Sequence, residues 1–262
     1  MRTKLNVDSG IPLVAIGASA GGLQPLETFF SAAPEAAGWA YVVLQHLSPD
    51  FTSTMDVHLG RRTGLEIRRI EDGMPLAPDT IFLNLPHTMI RLDGDIFRVQ
   101  PFDESGKVPQ LPIDAFFQSM VPRATGPTVA VILSGSGSDG TRGAQSLHRA
   151  GGTVLAQAPR EASFASMPNS VIESDAADMI VEVAHMPHAI KAIFRAEDQR
   201  PREDPGTQAV PRGVLALLED AYDIDFTDYK QDNVRRRIER RRHLRGVPTR
   251  EAYRDLLAAG PT

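Results

Sequence analysis

The sequence predicts an α/β protein: a doubly wound, mainly parallel, Rossmann-like sheet carrying one antiparallel hairpin, followed by a small all-α segment. Three observations lead there. Apolar runs of strand length, LVAI at 13–16, WAYVVL at 39–44 and PTVAVIL at 127–133, alternate with stretches whose apolar residues recur at helical spacing. Such continuous runs are what parallel strands look like when helices cover both faces of the sheet. Two of the short connections are rich in glycine, GASAGG at 17–22 and SGSGSDG at 134–140, and each follows a strand and leads into a helix.

In chain order, Leu23 to Ala32 places Leu23, Leu26, Phe29 and Phe30 on one helical face. The second strand ends at Gln45-His46-Leu47, and Ser48 or Asp50 suits the cap of a helix over 52–62. Leu65 to Ile70 is a short strand. The pattern changes between Pro78 and Val99, where Ile81–Leu83 and Met89–Leu92 are interrupted by Pro86, and Asp93-Gly94 signals a hairpin into Asp95–Val99. A polar loop, Asp103 to Pro109, precedes a helix over Ile113 to Val121 with Phe116 and Phe117 toward the core. After the second glycine turn come a helix to about Ala150, a strand over Thr153 to Ala156, a helix opened by Pro168, a strand over Met179 to Val183 and a helix from His185 to Phe194.

Glu197 to Pro211 mixes charge with Pro and Gly, lacks a period and reads as a linker. Helical patterns follow at about Val214–Tyr222, Asp232–Leu244 and Thr249–Leu257. The expected organisation is therefore a sheet domain over 11–196, a linker over 197–211 and a helical piece over 212–262.

Composition narrows the function classes. The 262 residues are 42% hydrophobic and 23% charged, as in an ordinary globular protein. A formal charge of -5 gives no reason to expect nucleic-acid binding. There is no cysteine, which removes disulfides, thiolate metal sites and thiol nucleophiles. No apolar run has the length of a signal peptide core or a membrane span, so a cytoplasmic protein without membrane insertion is expected. His58, His87, His148, His185, His188 and His243 are scattered, and neither a metal nor a cofactor is expected.

The chemistry concentrates at the strand ends. Gly17-x-Ser19-x-Gly21 fits a strand-to-helix turn that presents a serine at the rim of a sheet. A serine hydroxyl needs a base to take its proton, and a histidine held by a carboxylate is the common arrangement. His46, at the end of the second strand, and Asp139, in the second glycine turn, complete that set on one rim. Each residue also has a plainer reading: Ser19 as a turn residue, His46 as a polar strand terminus, Asp139 as the N-cap of the helix that follows it. A dinucleotide site competes for the first turn, but it expects an acid at the end of the second strand, where Gln45-His46 stand.

IGASAGG, VVLQHLSPDF, LPIDAFF, VILSGSGSDGTRG and MPNSVIESDAAD, in this order between Ile11 and Ala196, resemble the successive motifs of the catalytic domain of CheB-type chemotaxis protein-glutamate methylesterases. The resemblance implies that Ser19 is the nucleophile, His46 the general base and Asp139 the acid that orients it. The expected substrates are glutamyl methyl esters of methyl-accepting chemotaxis receptors, with deamidation of receptor glutamines by the same acyl chemistry. The backbone N–H of Ala20 is the first oxyanion-hole candidate, and the turn Gly135-Ser136-Gly137 offers a second donor. Relatives often carry threonine at the place of Ala20, methionine at that of Ser136 and histidine at that of Gln110. No receiver sequence precedes the first strand, so control by phosphorylation within this chain is not expected. A non-catalytic receptor-binding module that retains the esterase fold is the alternative.

Leu218 to Leu257 resembles the helical domain that opens CheR-type receptor methyltransferases; the sequence ends at Thr262 without the cofactor domain, so methyl transfer is not expected. Within it Arg235, Arg236, Arg240 and Arg241 belong to a basic run preceded by acidic residues. Two readings stay open for that run. One is salt bridging among the helices with a solvated face; the other is contact with an acidic partner, either a receptor or, intramolecularly, the esterase domain.

Overall fold

The computed structural model describes residues 10–45, 55–103, 105, 109–124, 126–198, 238, 242, 247 and 249–258. The chain divides into two compact units, Met1–Phe194 and Arg195–Thr262. In the first, the strands are β1 (Leu13–Ala18), β2 (Ala40–Gln45), β3 (Glu66–Arg69), β4 (Thr80–Leu83), β5 (Thr88–Asp93), β6 (Ile96–Pro101), β7 (Thr128–Ile132), β8 (Thr153–Gln157) and β9 (Met179–Val181). The helices are α1 (Leu23–Ala32), α2 (Met55–Gly60), α3 (Pro112–Ser119), α4 (Thr141–Arg149), α5 (Ser166–Glu173) and α6 (Met186–Asp198), with α7 (Arg250–Ala258) in the second unit.

Seven strands form one sheet in the order β3-β4-β2-β1-β7-β8-β9, and every pairing in it is parallel. β5 and β6 form the separate antiparallel hairpin, closed where Asp93 pairs with Ile96. The chain starts at β1 in the middle, winds outward through β2, then returns to the other side of β1 at β7. The direction of winding therefore reverses between β1 and β7, and the crevice at the carboxyl ends of these two strands is where such sheets place ligands.

The apolar runs explain the layers. β1, β7 and β8 are buried along their whole length. Successive strand residues point to opposite faces. Leu13 and Ala15 accordingly join a core with Ile113, Phe116 and Phe117 of α3, Leu147 of α4 and Met167 of α5. Val14, Ile16 and Ala18 join the opposite core with Leu26, Phe29 and Phe30 of α1, Leu59 of α2 and Ile190 and Ile193 of α6. At the edge, β3 carries Glu66 and Arg68, exposed and paired at 2.8 Å, which keeps that border solvated.

Several boundaries differ from expectation for local reasons. α5 begins at Ser166, two residues before Pro168, because a proline is tolerated in the first turn, where N–H groups have no helical partner. β9 stops at Val181, and the Val183 N–H turns away to the Glu161 carboxylate at 2.7 Å. α6 starts at Met186 and runs on to Asp198, so Glu197 and Asp198 are helical where the composition suggested a linker. The expected helices over 214–222 and 232–244 fall almost wholly outside the described residues. α7 matches the last helical pattern, and the Thr249 hydroxyl accepts the Ala252 N–H at 3.1 Å as its N-cap.

Candidate active site

β1 delivers the chain to Ser19, which opens the turn into α1. The Ser19 N–H donates to the Ser134 carbonyl just past β7 at 3.0 Å, and the Ser19 carbonyl accepts the Gly22 N–H at 2.9 Å. Gly21 has φ +69, and a Cβ there would lie 3.0 Å from both the Ser134 hydroxyl oxygen and the Phe164 ring, so this position needs glycine twice over. α1 begins at Leu23 without a side-chain cap. The N–H groups of Ala20 and Gly21 make no hydrogen bond among the described residues. A helix start whose N–H groups have no partner among the described residues suits negative charge.

The second turn closes against the first. Gly135 is buried so near the nucleophile's turn that a Cβ on it would lie 3.0 Å from the Ser19 Cβ and would overlap Met167 Sδ. Its N–H donates to the Phe164 carbonyl at 2.9 Å and its carbonyl accepts the Met167 N–H at 3.1 Å. The Gly135 N–H is thus engaged within the fold. Ser136 and Gly137 are exposed, and their N–H groups make no hydrogen bond among the described residues.

Asp139 is 2% exposed. One carboxylate oxygen accepts the N–H groups of Asp114 (2.9 Å) and Gly140 (2.8 Å), and the other accepts that of Ile113 at 3.0 Å. The residue at the N-cap of its own following helix is Gly140, with φ 93 and no side-chain cap bond. The plain N-cap reading is corrected accordingly. The left-handed glycine turns α4 away, and Asp139 caps the neighbouring α3 instead. Asp114, in the first turn of α3, returns the arrangement by accepting the Gly143 N–H of α4 at 2.8 Å. Burial raises the Asp114 carboxyl above the ordinary value, the Gly143 N–H opposes the shift, and the charge of Asp139 adds to it.

His46 lies outside the described residues, as do Arg235, Arg236, Arg240 and Arg241. Ala18 pairs with Gln45, so β2 ends level with β1. Beyond β4, the side-chain amide of Asn84 accepts the Gln45 N–H and donates to the Gln45 carbonyl, both at 2.9 Å. The Gln110 side chain donates to the Asp103 carbonyl at 3.3 Å.

Asp114, Asn84, Ser134 and Phe164 also hold the rim, and none is among the residues the sequence singles out. An acid in the first turn after Pro112 was a readable sign for Asp114, since helix starts favour negative charge. Contacts between residues distant in sequence left no such trace for the other three. Among the described residues no cluster of three or more metal-ligating side chains is present, and no helix is long and apolar enough to cross a membrane.

Fold and rim together define a doubly wound α/β domain with a serine at a strand-to-helix bend and a buried, amide-bound carboxylate on the adjoining turn. Comparison with known proteins is more specific. The model of the CheB methylesterase family matches residues 14–190, and that of the CheR methyltransferase all-alpha domain matches residues 212–262. The chain belongs to the CheB methylesterase family, with a CheR-type N-terminal part joined to it. It is 29% identical to the catalytic domain of the Thermotoga maritima CheB methylesterase, whose crystal structure superposes with a TM-score of 0.63 over 70% of this chain and 98% of that one. It is 32% identical to a protein-glutamate methylesterase/protein-glutamine glutaminase of Geobacillus kaustophilus, over 70% of this chain and 53% of the relative. A 104.1 kDa protein in the hypE 3' region of Rhodobacter capsulatus is 36% identical over 76% of this chain, which spans 23% of that relative. The chain thus covers about a quarter and about half of these two relatives' lengths.

Proposed function

We propose that the protein hydrolyses glutamyl methyl esters of methyl-accepting chemotaxis-type receptors, and glutamine side chains by the same route, in the cytoplasm and without a cofactor. The observation that carries this reading is the rim itself: Ser19 and Asp139 stand on the turns of adjacent parallel strands, beside the Ala20 N–H, which makes no hydrogen bond among the described residues. The name of the Geobacillus relative, a protein-glutamate methylesterase/protein-glutamine glutaminase, supports the choice of ester.

In this reading His46 takes the Ser19 proton as Oγ attacks the ester carbonyl, and Asp139 holds the imidazole through its ring N–H. Among the described residues, Oδ1 of Asp139 accepts two backbone N–H groups and Oδ2 accepts one. The Ala20 N–H receives the developing oxyanion, with the Ser136 or Gly137 N–H as second donor. Collapse of the tetrahedral adduct expels methoxide, which leaves as methanol with the proton held by His46. Water then attacks the acyl-enzyme, His46 accepts its proton and passes one to Ser19, and the free glutamate departs. For glutamine the first leaving group is ammonia.

The proposed extents are 11–196 for the esterase domain, 197–211 for the linker, whose first two residues continue α6, and 212–262 for the CheR-type piece. The arginine run at 235–241 is proposed to meet an acidic surface, on the receptor or on the esterase domain. Cleavage near Pro205 separates these, because only an intramolecular contact over the rim yields faster turnover on release.

The deciding measurement is methanol release from methylated receptor by the wild type and by Ser19→Ala. The variant is expected to be at least about 1,000-fold slower. Equal rates would sink the assignment of Ser19.

A further inference from the structure

Ser134, the first residue after Leu133 beyond β7, is fully buried and sits at the centre of the rim. Its hydroxyl donates to the Ala20 carbonyl at 2.9 Å and accepts the Phe164 N–H at 3.0 Å. Its backbone carbonyl accepts the Ser19 N–H at 3.0 Å, and its own N–H donates to the buried Gln157 amide oxygen at 2.7 Å. One residue thus grips the nucleophile's turn on both sides of the Ser19–Ala20 peptide, at the Ser19 N–H and at the Ala20 carbonyl. The N–H that lies between these two grips is that of Ala20. The Ser19 carbonyl, on the same peptide plane as the Ala20 N–H, is held in turn by the Gly22 N–H.

We propose that the Ser134 hydroxyl is the positioning group for the oxyanion donor: by fixing the Ala20 carbonyl it sets the orientation of Ala20 and aims the Ala20 N–H at the position of the oxyanion. Gln157 anchors Ser134 from β8, and Phe164 ties the β8–α5 loop to the same hydroxyl. The inference rests on the proposed ester hydrolysis and adds to it a residue that never touches substrate. The physical reason for such a group is that an oxyanion donor acts through being held in place before the charge forms. A donor free to swing must be reoriented during the reaction, which lowers kcat and leaves ground-state binding nearly unchanged.

The test compares Ser134→Ala, Ser134→Cys and Thr128→Ala with the wild type. Thr128 begins the same strand at its far end, is equally buried, and donates to the Arg123 carbonyl at 3.1 Å, so its variant reports what loss of a buried β7 hydroxyl does to the fold alone. Cysteine keeps the shape of serine but is a weak donor, so it separates the hydrogen bond from packing and serves where the alanine variant folds poorly. The readouts are kcat and KM for methanol release from methylated receptor, and the rate at which a fluorophosphonate probe labels Ser19. Both Ser134 variants are expected to lose about 10- to 100-fold in kcat and in labelling rate with KM within about 3-fold, since removing an oxyanion donor outright costs about 100- to 1,000-fold. Thr128→Ala is expected to keep the wild-type kcat. Wild-type kcat in Ser134→Cys, or an equal loss in Thr128→Ala, overturns the role of Ser134 and leaves the esterase reading standing. Absence of Ser19-dependent turnover and labelling in the wild type overturns both.

Discussion

Asp114 and Asp139 form a crossed pair of caps, in which each acid near the start of one helix accepts N–H groups from the other. Asp114 is buried beside a second carboxylate, that of Asp139. Burial, and then the charge of Asp139, lift Asp114 above its ordinary value of 3.8, against the lowering by the Gly143 N–H and by Arg142. A carboxyl raised in the folded state binds its proton more tightly there than in the unfolded chain. Its contribution to stability is fully present below the unfolded value of 3.8 and is lost as pH rises through the raised native value. Asp114→Asn removes this titration while keeping one acceptor. Measured by urea unfolding between about pH 3 and pH 7, the variant's stability relative to wild type is expected to rise with pH. A flat or falling difference would show that Asp114 does not titrate as its surroundings dictate.

The ends of the strands, more than their middles, decide the site. β1 and β7 are legible in the sequence because LVAI and TVAVI must be covered on both faces, and the hairpin is legible because Asp93-Gly94 forces a reversal. α1 is equally plain from its one apolar face. The order of strands is not, since β4 inserts between β2 and β3 by pairing with residues about 40 positions earlier. The same holds for the groups that hold the rim. Asn84 continues the β2–β4 ladder with its side chain, binding both backbone groups of Gln45, and no local pattern announces it. Asn84→Ala is expected to destabilise the fold by about 1–3 kcal/mol, because Gln45 loses both partners in a partly buried place. It should also slow methanol release, as the strand end leading to His46 loosens. Unchanged turnover with the expected loss in stability would assign Asn84 to the fold alone. Gly135→Ala attacks the second turn: the added methyl must displace Met167 or Ser19, at a cost of about 1–3 kcal/mol by urea unfolding.

Across the first unit, the hairpin is joined to the sheet far from the rim. Arg123 and Asp95 form an ion pair in which both side chains are 8% exposed, and Arg123 also donates to the Ile11 carbonyl at 2.8 Å. Ile11 precedes β1, so this junction lies at the amino ends of the strands, about 20 Å from Ser19 by the length of a six-residue strand. The stretch before β4 reinforces it: Leu76 N–H donates to the Asp95 carbonyl at 2.8 Å, and Val99 N–H to the Asp72 carboxylate at 2.9 Å. Desolvating two charges roughly cancels their attraction, so the pair adds little against an apolar replacement, but removing one partner strands the other in the interior. Arg123→Ala and Asp95→Ala are each expected to lower stability by about 3–5 kcal/mol in urea unfolding, whereas the double change Arg123→Met with Asp95→Leu recovers most of that loss. Methanol release measured well below the unfolding transition should stay at the wild-type rate in all three, since none touches the two turns that carry Ser19 and Asp139. A double variant no more stable than the singles would mean that the charges themselves hold the hairpin. A fall in turnover without unfolding would mean that the amino ends of the sheet control the rim at its opposite side.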